Sequence, residues 1–484
     1  MVFSRRHVKK IEGFAAPGFE SVRQIFEREM NTIAEKEAQL CVYHKGHKVI
    51  DLWAHPIENS DFNADSLVPV FSSGKSLEAL GLAHLVDIGL LDYDANISKY
   101  WPEFAAHEKE NITVADLMRH EAGLVEFKHT FQHDELFTEN IKRNSVGSVI
   151  ENVKRRMSDN SLFHRQYHGA TRGWIANELF RRVEPQGRTL GEYIRDDIAQ
   201  PLEIDVNIGL DEEHHHRRAA VKPFSIAFHV IESLRPRVLG RRVVHNAKEL
   251  YFIVDAVSQA SLRDLHARFM SMVNKPTDTA AIDPSNRRSR KKNSPMLPMV
   301  FGLNGPLKGL YPYRYREGAL NIFNHPDVIK GETPSMNATC TARGLAKLAA
   351  TMAAGGVFAG KRYFGRESWQ ALHNKKKRLK MDGAVTTHFT QGGLSYFTME
   401  GAENNSVDRG MHQGREGFYG WMGAGGSIFQ WNPDLDVGFA FVPTSLHIMD
   451  LFNERGKVYQ DALMRCIAQL EQGPATDNVA VGSV

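Results

Sequence analysis

The chain has 484 residues, of which 42% are hydrophobic and 24% are charged, with 39 Gly and 19 Pro. This composition excludes a disordered, collagen-like or disulfide-stapled small protein, and the length permits a large buried core. Sixty Lys and Arg against 57 Asp and Glu leave a formal charge of +3, which supplies no field strong enough to hold nucleic acid. We therefore expect a globular protein with no charge-driven partner and no nucleic-acid partner.

The N-terminal part predicts a helix followed by a β-hairpin. Apolar residues recur at spacings of three and four between residues 18 and 37, as on an amphipathic helix. Two apolar runs, 39–43 and 49–53, then flank a short connection that contains Gly46, which is typical of a hairpin. We expect the helix to pack on an antiparallel sheet.

A third apolar run, at 68–71, leads into Ser72-Ser73-Gly74-Lys75 and a leucine-rich pattern that ends at Gly89. Ser72 is therefore predicted at the start of a helix. A second helix is predicted to begin after Thr113, whose hydroxyl suits an N-cap. Further helical patterns follow at 145–157, 171–184 and 189–199.

Residues 212–330 differ in composition from the flanking segments and are predicted to be an insertion. They begin with three adjacent histidines, 214–216, and contain helical patterns at about 225–235 and 247–273. Neighbouring residues point in different directions on a helix, so the histidine triplet makes a poor metal site. A basic cluster at 287–292 is typical of a solvated loop. No metal and no cofactor is expected in this chain.

The C-terminal part predicts a helix at 341–354, a loop around a basic cluster at 375–380, and a closing helix at 449–471. Strands are predicted in between, at 393–399, 425–431 and 437–442. Because strands lie near both termini with helices between them, the sheet must be assembled from both ends of the chain.

Cysteine usage and hydropathy bear on the compartment. Cys41, Cys340 and Cys466 lie far apart without disulfide or metal-ligand spacing, which fits a reducing environment. We find no stretch of about 18 uncharged apolar residues, so no transmembrane segment is expected. A cytoplasmic protein is expected, and the basic N-terminus leaves a mitochondrial destination open. A homo-oligomer also remains open.

Several nucleotide, metal and hydrolase motifs fail on their spacing. A phosphate-binding loop ending at Gly74-Lys75-Ser76 would need glycine at position 69, which is Pro69. The glycines at 420–426 do not complete GxGxxG, His120-Glu121 does not continue to HExxH, and GxSxG is absent.

The positive signal is the pattern Ser-x-x-Lys, which occurs as Ser72/Lys75 and as Ser289/Lys292. The second pair lies in the basic loop, whereas the first lies at a strand-to-helix boundary. A spacing of three places Lys75 one helical turn from Ser72, where a lysine of lowered pKa can take the hydroxyl proton. From these residues alone, the alternative is that Ser72 only caps the helix and that Lys75 is solvated.

The surrounding sequence resembles a known family. Ser72–Lys75 with its leucine-rich helix, the segment 112–124 (ITVADLMRHEAGL) and the segment 334–339 are similar to serine β-lactamase-related proteins. These include class C β-lactamases, D-alanyl-D-alanine carboxypeptidases and related esterases. The resemblance covers about residues 12–210 and 330–470.

The resemblance implies the β-lactamase/transpeptidase-like fold of the α/β (α+β) class, an antiparallel sheet flanked by helices. We expect the sheet domain to be discontinuous and a helical domain to interrupt it. The expected division is 12–71 with 331–472 for the sheet domain, 72–211 for the helical domain, 212–330 for a partly flexible insertion, and 473–484 for a tail.

The resemblance also implies roles for the residues of the site. Ser72 would be the acyl-forming nucleophile and Lys75 its proton acceptor. Tyr167-His168-Gly169 matches the family's Tyr-x-Asn, so that Tyr167 would share the acid/base role, provided that Lys75 lowers its pKa from about 10. His168 is assigned to substrate binding, and Gly169 replaces the family's Asn.

Trp421-Met422-Gly423 matches the family's third element, Lys-Thr-Gly or His-x-Gly, which is expected to open a strand beside the site. Trp421 replaces the cation that would pair with a substrate carboxylate, as in the β-lactamase-like esterases. Gly423 would let the substrate approach, and the N–H groups of Ser72 and Ala424 would form the oxyanion hole.

The function implied is a serine hydrolase that forms an acyl-enzyme on small esters. Two alternatives remain open. One is a peptidase or amidase that acts on small peptides. The other is a catalytically weak scaffold or filament-forming protein of the same fold, whose insertion supplies a partner surface.

Overall fold

The computed structural model describes residues 9–58, 60–127, 129–157, 164–224, 226–234, 243–244, 321–402, 405–447 and 450–472. Four predictions lie outside these residues: the helical pattern at 247–273, the basic cluster at 287–292, the second Ser-x-x-Lys pair and the tail at 473–484.

In the described part of the chain, nine strands form one antiparallel sheet that takes strands from both ends of the sequence. The two halves meet where Val437–Pro443 pairs with Ala38–His44, with Phe439 opposite Val42. The spatial order is Lys9–Ala15, His47–Pro56, Ala38–His44, Val437–Pro443, Ile428–Asn432, Tyr419–Met422, Ser395–Tyr396, Val385–Phe389 and Lys377–Met381.

Helices cover both faces of this sheet, and its central strand Val437–Pro443 is apolar throughout. Every residue of Val437–Pro443 is buried, as expected for a strand with two covered faces. Glu20–Thr32 and Glu454–Gln472 pack together on one face, and Ala342–Ala353 packs on the other. The helix Ala342–Ala353 approaches the sheet closely because Gly438 has no side chain: a Cβ there would lie 2.3 Å from the backbone nitrogen of Ala350.

A helical region lies between the two parts of the sheet. Thr113 caps its helix through a capping box with Asp116, as the sequence predicted. The α-helices of the region are Lys75–Asp87, Val114–Met118, Thr138–Lys142, Ser145–Asn152, Thr171–Val183, Leu190–Tyr193 and Gln200–Leu202, with a π-helical segment at Ile194–Ala199. Short 3-10 helices are Phe71–Gly74, Ile97–Lys99, Pro102–Ala105, Asp134–Leu136, Glu212–Arg217 and Asn321–Asn324.

The remaining elements are short. The helices are Ile226–Leu234, Pro326–Lys330, Arg366–His373 and Ser406–His412. Small sheets are formed by Val68–Pro69 with Thr339–Cys340 and Val206–Asn207, by Lys222–Pro223 with Ser445–Leu446, and by Val357–Phe358 with Lys361–Arg362. Within the described ranges, no helix has the length and hydropathy that crossing a bilayer requires.

The polar edges of the sheet differ most from the prediction. Lys9–Ala15 was missed, and the basic segment predicted as a loop at 375–380 overlaps the edge strand Lys377–Met381. Charged residues are common on edge strands because they oppose pairing with another chain. The hydropathy of an edge strand therefore resembles that of a loop.

Several predicted boundaries also move. The strand predicted at 393–399 is reduced to Ser395–Tyr396, and the one predicted at 425–431 begins at Ile428, because Gly425 and Gly426 adopt positive φ angles. The closing helix begins at Glu454 and not at residue 449, and the first helix spans only Glu20–Thr32.

Candidate active site

Ser72 lies where the sheet meets the helical region. The strand Val68–Pro69 leads into the 3-10 helix Phe71–Gly74, and the α-helix begins only at Lys75. The sequence predicted Ser72 at the start of a helix; the structure places it in the 3-10 helix that directly precedes the α-helix. Phe71 adopts a left-handed φ of 49°, a conformation that costs a non-glycine residue about 1–2 kcal/mol. This turn presents Ser72 to a cavity.

Lys75 reaches Ser72 from the start of its helix, with 1% of its surface exposed. Its Nζ lies 3.4 Å from Ser72 Oγ and donates to the carbonyl oxygens of Gly169, at 2.5 Å, and Ser335, at 3.2 Å. The carbonyl of Gly169 therefore holds the lysine at the position where the family's motif has an Asn side chain.

Burial is the main cause of the perturbed pKa of Lys75. It lowers the pKa from 10.5 to about 7, against the attraction of the Glu78 carboxylate, and the Arg172 guanidinium lowers it further. Lys75 can therefore be neutral near pH 7. A neutral amine is the form that accepts a proton.

Tyr167, in the segment before the helix Thr171–Val183, also contacts Ser72. Its hydroxyl donates to Ser72 Oγ at 2.7 Å and accepts the indole N–H of Trp421 at 3.2 Å. Burial raises the pKa of Tyr167 to about 12, although both hydrogen bonds oppose the shift. The expectation that Lys75 lowers this pKa is therefore wrong: the lysine Nζ lies 4.9 Å from the ring centroid, but the loss of water dominates. At neutral pH Tyr167 carries its proton.

His168 does not line the cavity, contrary to its predicted role in substrate binding. Its ring is fully buried; Nε2 accepts the backbone N–H of Leu124 at 3.0 Å, and Nδ1 lies 2.6 Å from the carbonyl of Gln166. Burial lowers the pKa of His168 to about 4, so the ring is neutral. Successive side chains of an extended segment point to opposite sides, so residue 168 turns away from the cavity that Tyr167 lines. The ring of His168 instead connects two loops behind Tyr167.

The third element ends a strand instead of opening one. Trp421 lies in the strand Tyr419–Met422, and Gly423 and Ala424 follow it at the cavity wall. The N–H of Gly423 donates to the carbonyl of Ser427 at 2.8 Å. A Cβ at Gly423 would lie 2.1 Å from Ser427 Oγ, so only glycine fits this turn.

Asn453 is a residue that the sequence analysis missed. Its side-chain N–H₂ donates to the carbonyl oxygens of Gly423, at 3.0 Å, and Ser427, at 2.8 Å. Because a trans peptide is planar, a carbonyl of Gly423 held towards Asn453 directs the N–H of Ala424 the opposite way. No motif marks Asn453, which lies just before the closing helix and about 30 residues from its partners in the chain.

The cavity beside Ser72 has a volume of about 200 Å³ and largely apolar walls. Its apolar lining comprises Met381, Val385, Met411, Trp421, Met422, Leu451 and Phe452. Two carboxylates also reach it, Asp382 and Asp450, and neither Lys nor Arg is among the described residues that line it. Burial raises the pKa of Asp382 to about 6, against the N–H of Tyr167. Among the described residues, the lining therefore offers no Lys or Arg to a substrate carboxylate.

Comparisons with known proteins show the family. Residues 22–463 match the model of the Beta-lactamase family. The chain is 26% identical over 450 residues to the protein described as "Esterase/beta-lactamase LipL" of Mycobacterium tuberculosis (strain ATCC 25618 / H37Rv), covering 90% of this chain and 84% of that protein.

Solved structures share the fold. A penicillin-binding protein homologue from Caulobacter crescentus has a TM-score of 0.63 at 23% identity, covering 94% of this chain and 100% of the other. A family VIII carboxylesterase has a TM-score of 0.65 at 20% identity, with the same coverage. Fold and comparisons define the class of the protein as serine hydrolase. The chain belongs to the Beta-lactamase family, which confirms the resemblance seen in the sequence.

Proposed function

We propose that this protein hydrolyses small carboxylic esters through an acyl-enzyme on Ser72. The observation that carries the proposal is the meeting of three groups at one cavity: Ser72 Oγ lies 3.4 Å from Lys75 Nζ and 2.7 Å from the hydroxyl of Tyr167. A serine hydroxyl becomes a strong nucleophile only when a neighbouring base takes its proton.

Lys75 is the base in this proposal. A neutral amine has two N–H bonds and one lone pair, and Lys75 has two carbonyl acceptors, Gly169 and Ser335. When both N–H bonds point to these carbonyls, the lone pair is left for the hydroxyl of Ser72. The ester carbonyl is then attacked by Ser72 Oγ while Lys75 becomes the ammonium ion.

The oxyanion of the tetrahedral intermediate is stabilised by the N–H groups of Ser72 and Ala424. Asn453 supports this role, because it fixes the carbonyl of Gly423 and with it the peptide that carries the N–H of Ala424. Donors held in place before the reaction need no reorganisation as charge develops.

Tyr167 protonates the leaving alkoxide. Its raised pKa keeps the proton in place at neutral pH, and the ammonium of Lys75 returns a proton to the tyrosine. Water then attacks the acyl-enzyme along the reverse route: Tyr167 takes a proton from the water as it passes its own to neutral Lys75, and the Lys75 ammonium protonates Ser72 Oγ as it leaves.

Two features favour esters without a carboxylate over penicillins. Trp421 stands where a cation would bind a carboxylate, and the described lining of the cavity supplies acids but no Lys or Arg. The relative from Mycobacterium tuberculosis is described as an esterase as well as a β-lactamase, so its description supports ester hydrolysis without separating the two substrate classes.

The test measures hydrolysis of p-nitrophenyl butyrate and of its anilide by wild type and Ser72→Ala, with fluorophosphonate labelling and peptide mapping. Ser73→Ala is the matched control, because Ser73 is fully buried and hydrogen-bonds to Ser427. We expect labelling at Ser72 and loss of hydrolysis only in Ser72→Ala. Equal rates for wild type and Ser72→Ala refute the mechanism; a folded wild type without labelling favours the scaffold, and preferential cleavage of the anilide favours the amidase.

A further inference from the structure

A group of metal-ligand side chains lies away from the Ser72 cavity, where two distant segments of the chain meet. His133 directly precedes the 3-10 helix Asp134–Leu136, and His325 caps the helix Pro326–Lys330, whose first turn carries Asp327. None of the three residues lines the Ser72 cavity or belongs to a motif found in the sequence.

One carboxylate oxygen of this group lies beside both imidazole rings. Oδ2 of Asp327 is 3.9 Å from Nδ1 of His133 and 3.8 Å from Nδ1 of His325. The two rings have centroids 4.8 Å apart, and one ligand atom from each residue lies within 4.8 Å of the others. Ligand atoms of a tetrahedral zinc site stand about 3.4 Å apart, given bonds of about 2.1 Å. Movements of about 1 Å or less per side chain therefore bring the three atoms to bonding positions.

The surroundings permit such movements. The exposed fraction of the side chain is 10% for His133, 33% for His325 and 52% for Asp327. The ring of His133 is thus held by packing, while the carboxylate of Asp327 faces solvent and can rotate. An ion can enter from that side and keep water as its fourth ligand.

We propose that His133, His325 and Asp327 bind one zinc ion. Two imidazoles and one carboxylate are a ligand set that zinc uses in proteins. The ion would connect the segment before Asp134–Leu136 to the helix Pro326–Lys330 at the end of the predicted insertion. Nδ1 of His325 now accepts the N–H of Asp327 at 3.3 Å, so bonding through this nitrogen replaces a helix cap by a metal bond. Lys330, a cation on the same helix, pairs with Glu212.

The histidine triplet at 214–216 offers no comparable arrangement. His216 Nδ1 lies 2.7 Å from the carbonyl of Glu213, and His215 Nε2 lies 3.3 Å from the carbonyl of Leu210. These rings therefore turn to separate backbone partners. The most conspicuous histidines in the sequence are not the ones that converge.

Isothermal titration calorimetry with zinc chloride tests the site on the full chain after dialysis against EDTA. We expect one equivalent to bind wild type, and His133→Ala and His325→Ala to weaken that binding at least about tenfold. The matched control is His129→Ala. His129 lies 3.6 Å from the carboxylate of Glu135, and this described pair includes one histidine where the proposed site has two. This control should bind zinc like wild type.

Asp327→Asn preserves the size of an exposed side chain, so this variant should fold. It tests the zinc site if a histidine variant does not fold. It should also weaken binding. Cobalt(II) gives an independent readout, since the wild-type protein should show the visible absorption of a tetrahedral complex and the variants should not. The proposal is refuted by wild type that binds no zinc, or by variants whose stoichiometry and affinity equal those of wild type. Neither outcome bears on hydrolysis at Ser72.

Discussion

Replacing Lys75 by methionine tests the central electrostatic feature of the site. Lys75 is 1% exposed, and burial is the main reason that its pKa falls from 10.5 to about 7. At about 1.36 kcal/mol per pKa unit, holding the protonated lysine in the folded protein costs about 5 kcal/mol below pH 7.

The sign of the pH dependence follows from the direction of this shift. Because the pKa is lower in the folded state, the unfolded chain binds more protons between pH 7 and pH 10.5. The free energy of unfolding therefore rises with pH through this window. From pH 7 to pH 9, Lys75 alone contributes an increase of about 2 kcal/mol.

Urea unfolding of wild type and Lys75→Met at pH 7 and pH 9 isolates this contribution, since other groups titrate alike in both proteins. We expect the stability difference between them to shift by about 2 kcal/mol in favour of wild type at the higher pH. A difference that does not change with pH refutes the assignment of a lowered pKa to Lys75.

The same pKa governs activity in the proposed mechanism. The acid limb of kcat/KM for p-nitrophenyl butyrate should have its inflection near pH 7, because only neutral Lys75 accepts the proton of Ser72. Lys75→Arg should be inactive across the range, since arginine stays charged. An inflection near the ordinary lysine pKa would show that the pKa of Lys75 is not lowered in the active site.

Three further substitutions test the remaining parts of the site. Tyr167→Phe should lower kcat about 10²- to 10⁴-fold, and the loss should be larger for the anilide than for the ester because the amine leaving group needs the proton more. Steady-state rates on the two substrates measure this difference, and equal losses would contradict it. Asn453→Ala should lower kcat about 10-fold or more with little change in KM and should weaken a boronate transition-state analogue in parallel, whereas a rise in KM alone would assign it to substrate binding. Gly423→Ala should lower the Tm by several degrees in a thermal melt, because its Cβ would lie 2.1 Å from Ser427 Oγ; an unchanged Tm would show that the turn adapts.

The sequence was most informative where the signal is local. The hairpin, the Thr113 cap, the apolar strand at 437–442 and the Ser-x-x-Lys pair all depend on residues within a few positions of each other. Hydrophobic periodicity and capping read such local relations directly. The family resemblance rests on the same short segments, and the family match confirms it.

The sequence was least informative where polar strands pair at a distance. Lys377–Met381 looks like a loop because three of its five residues are charged, and only its pairing with Val385–Phe389 makes it a strand. Lys9–Ala15 depends in the same way on His47–Pro56. A backbone ladder leaves little trace in the side chains of an exposed edge strand.

For this protein the sequence by itself determined the family, the apolar centre of the sheet and the serine–lysine pair, since these follow from the spacing of neighbouring residues. Only the tertiary structure decided which groups lose water and which distant atoms meet. It gives Lys75 a lowered and Tyr167 a raised pKa, turns His168 away from the cavity, and brings Asn453 to Gly423. The physical reason is that desolvation and hydrogen-bond partners depend on packing between remote segments, which spacing along the chain does not encode.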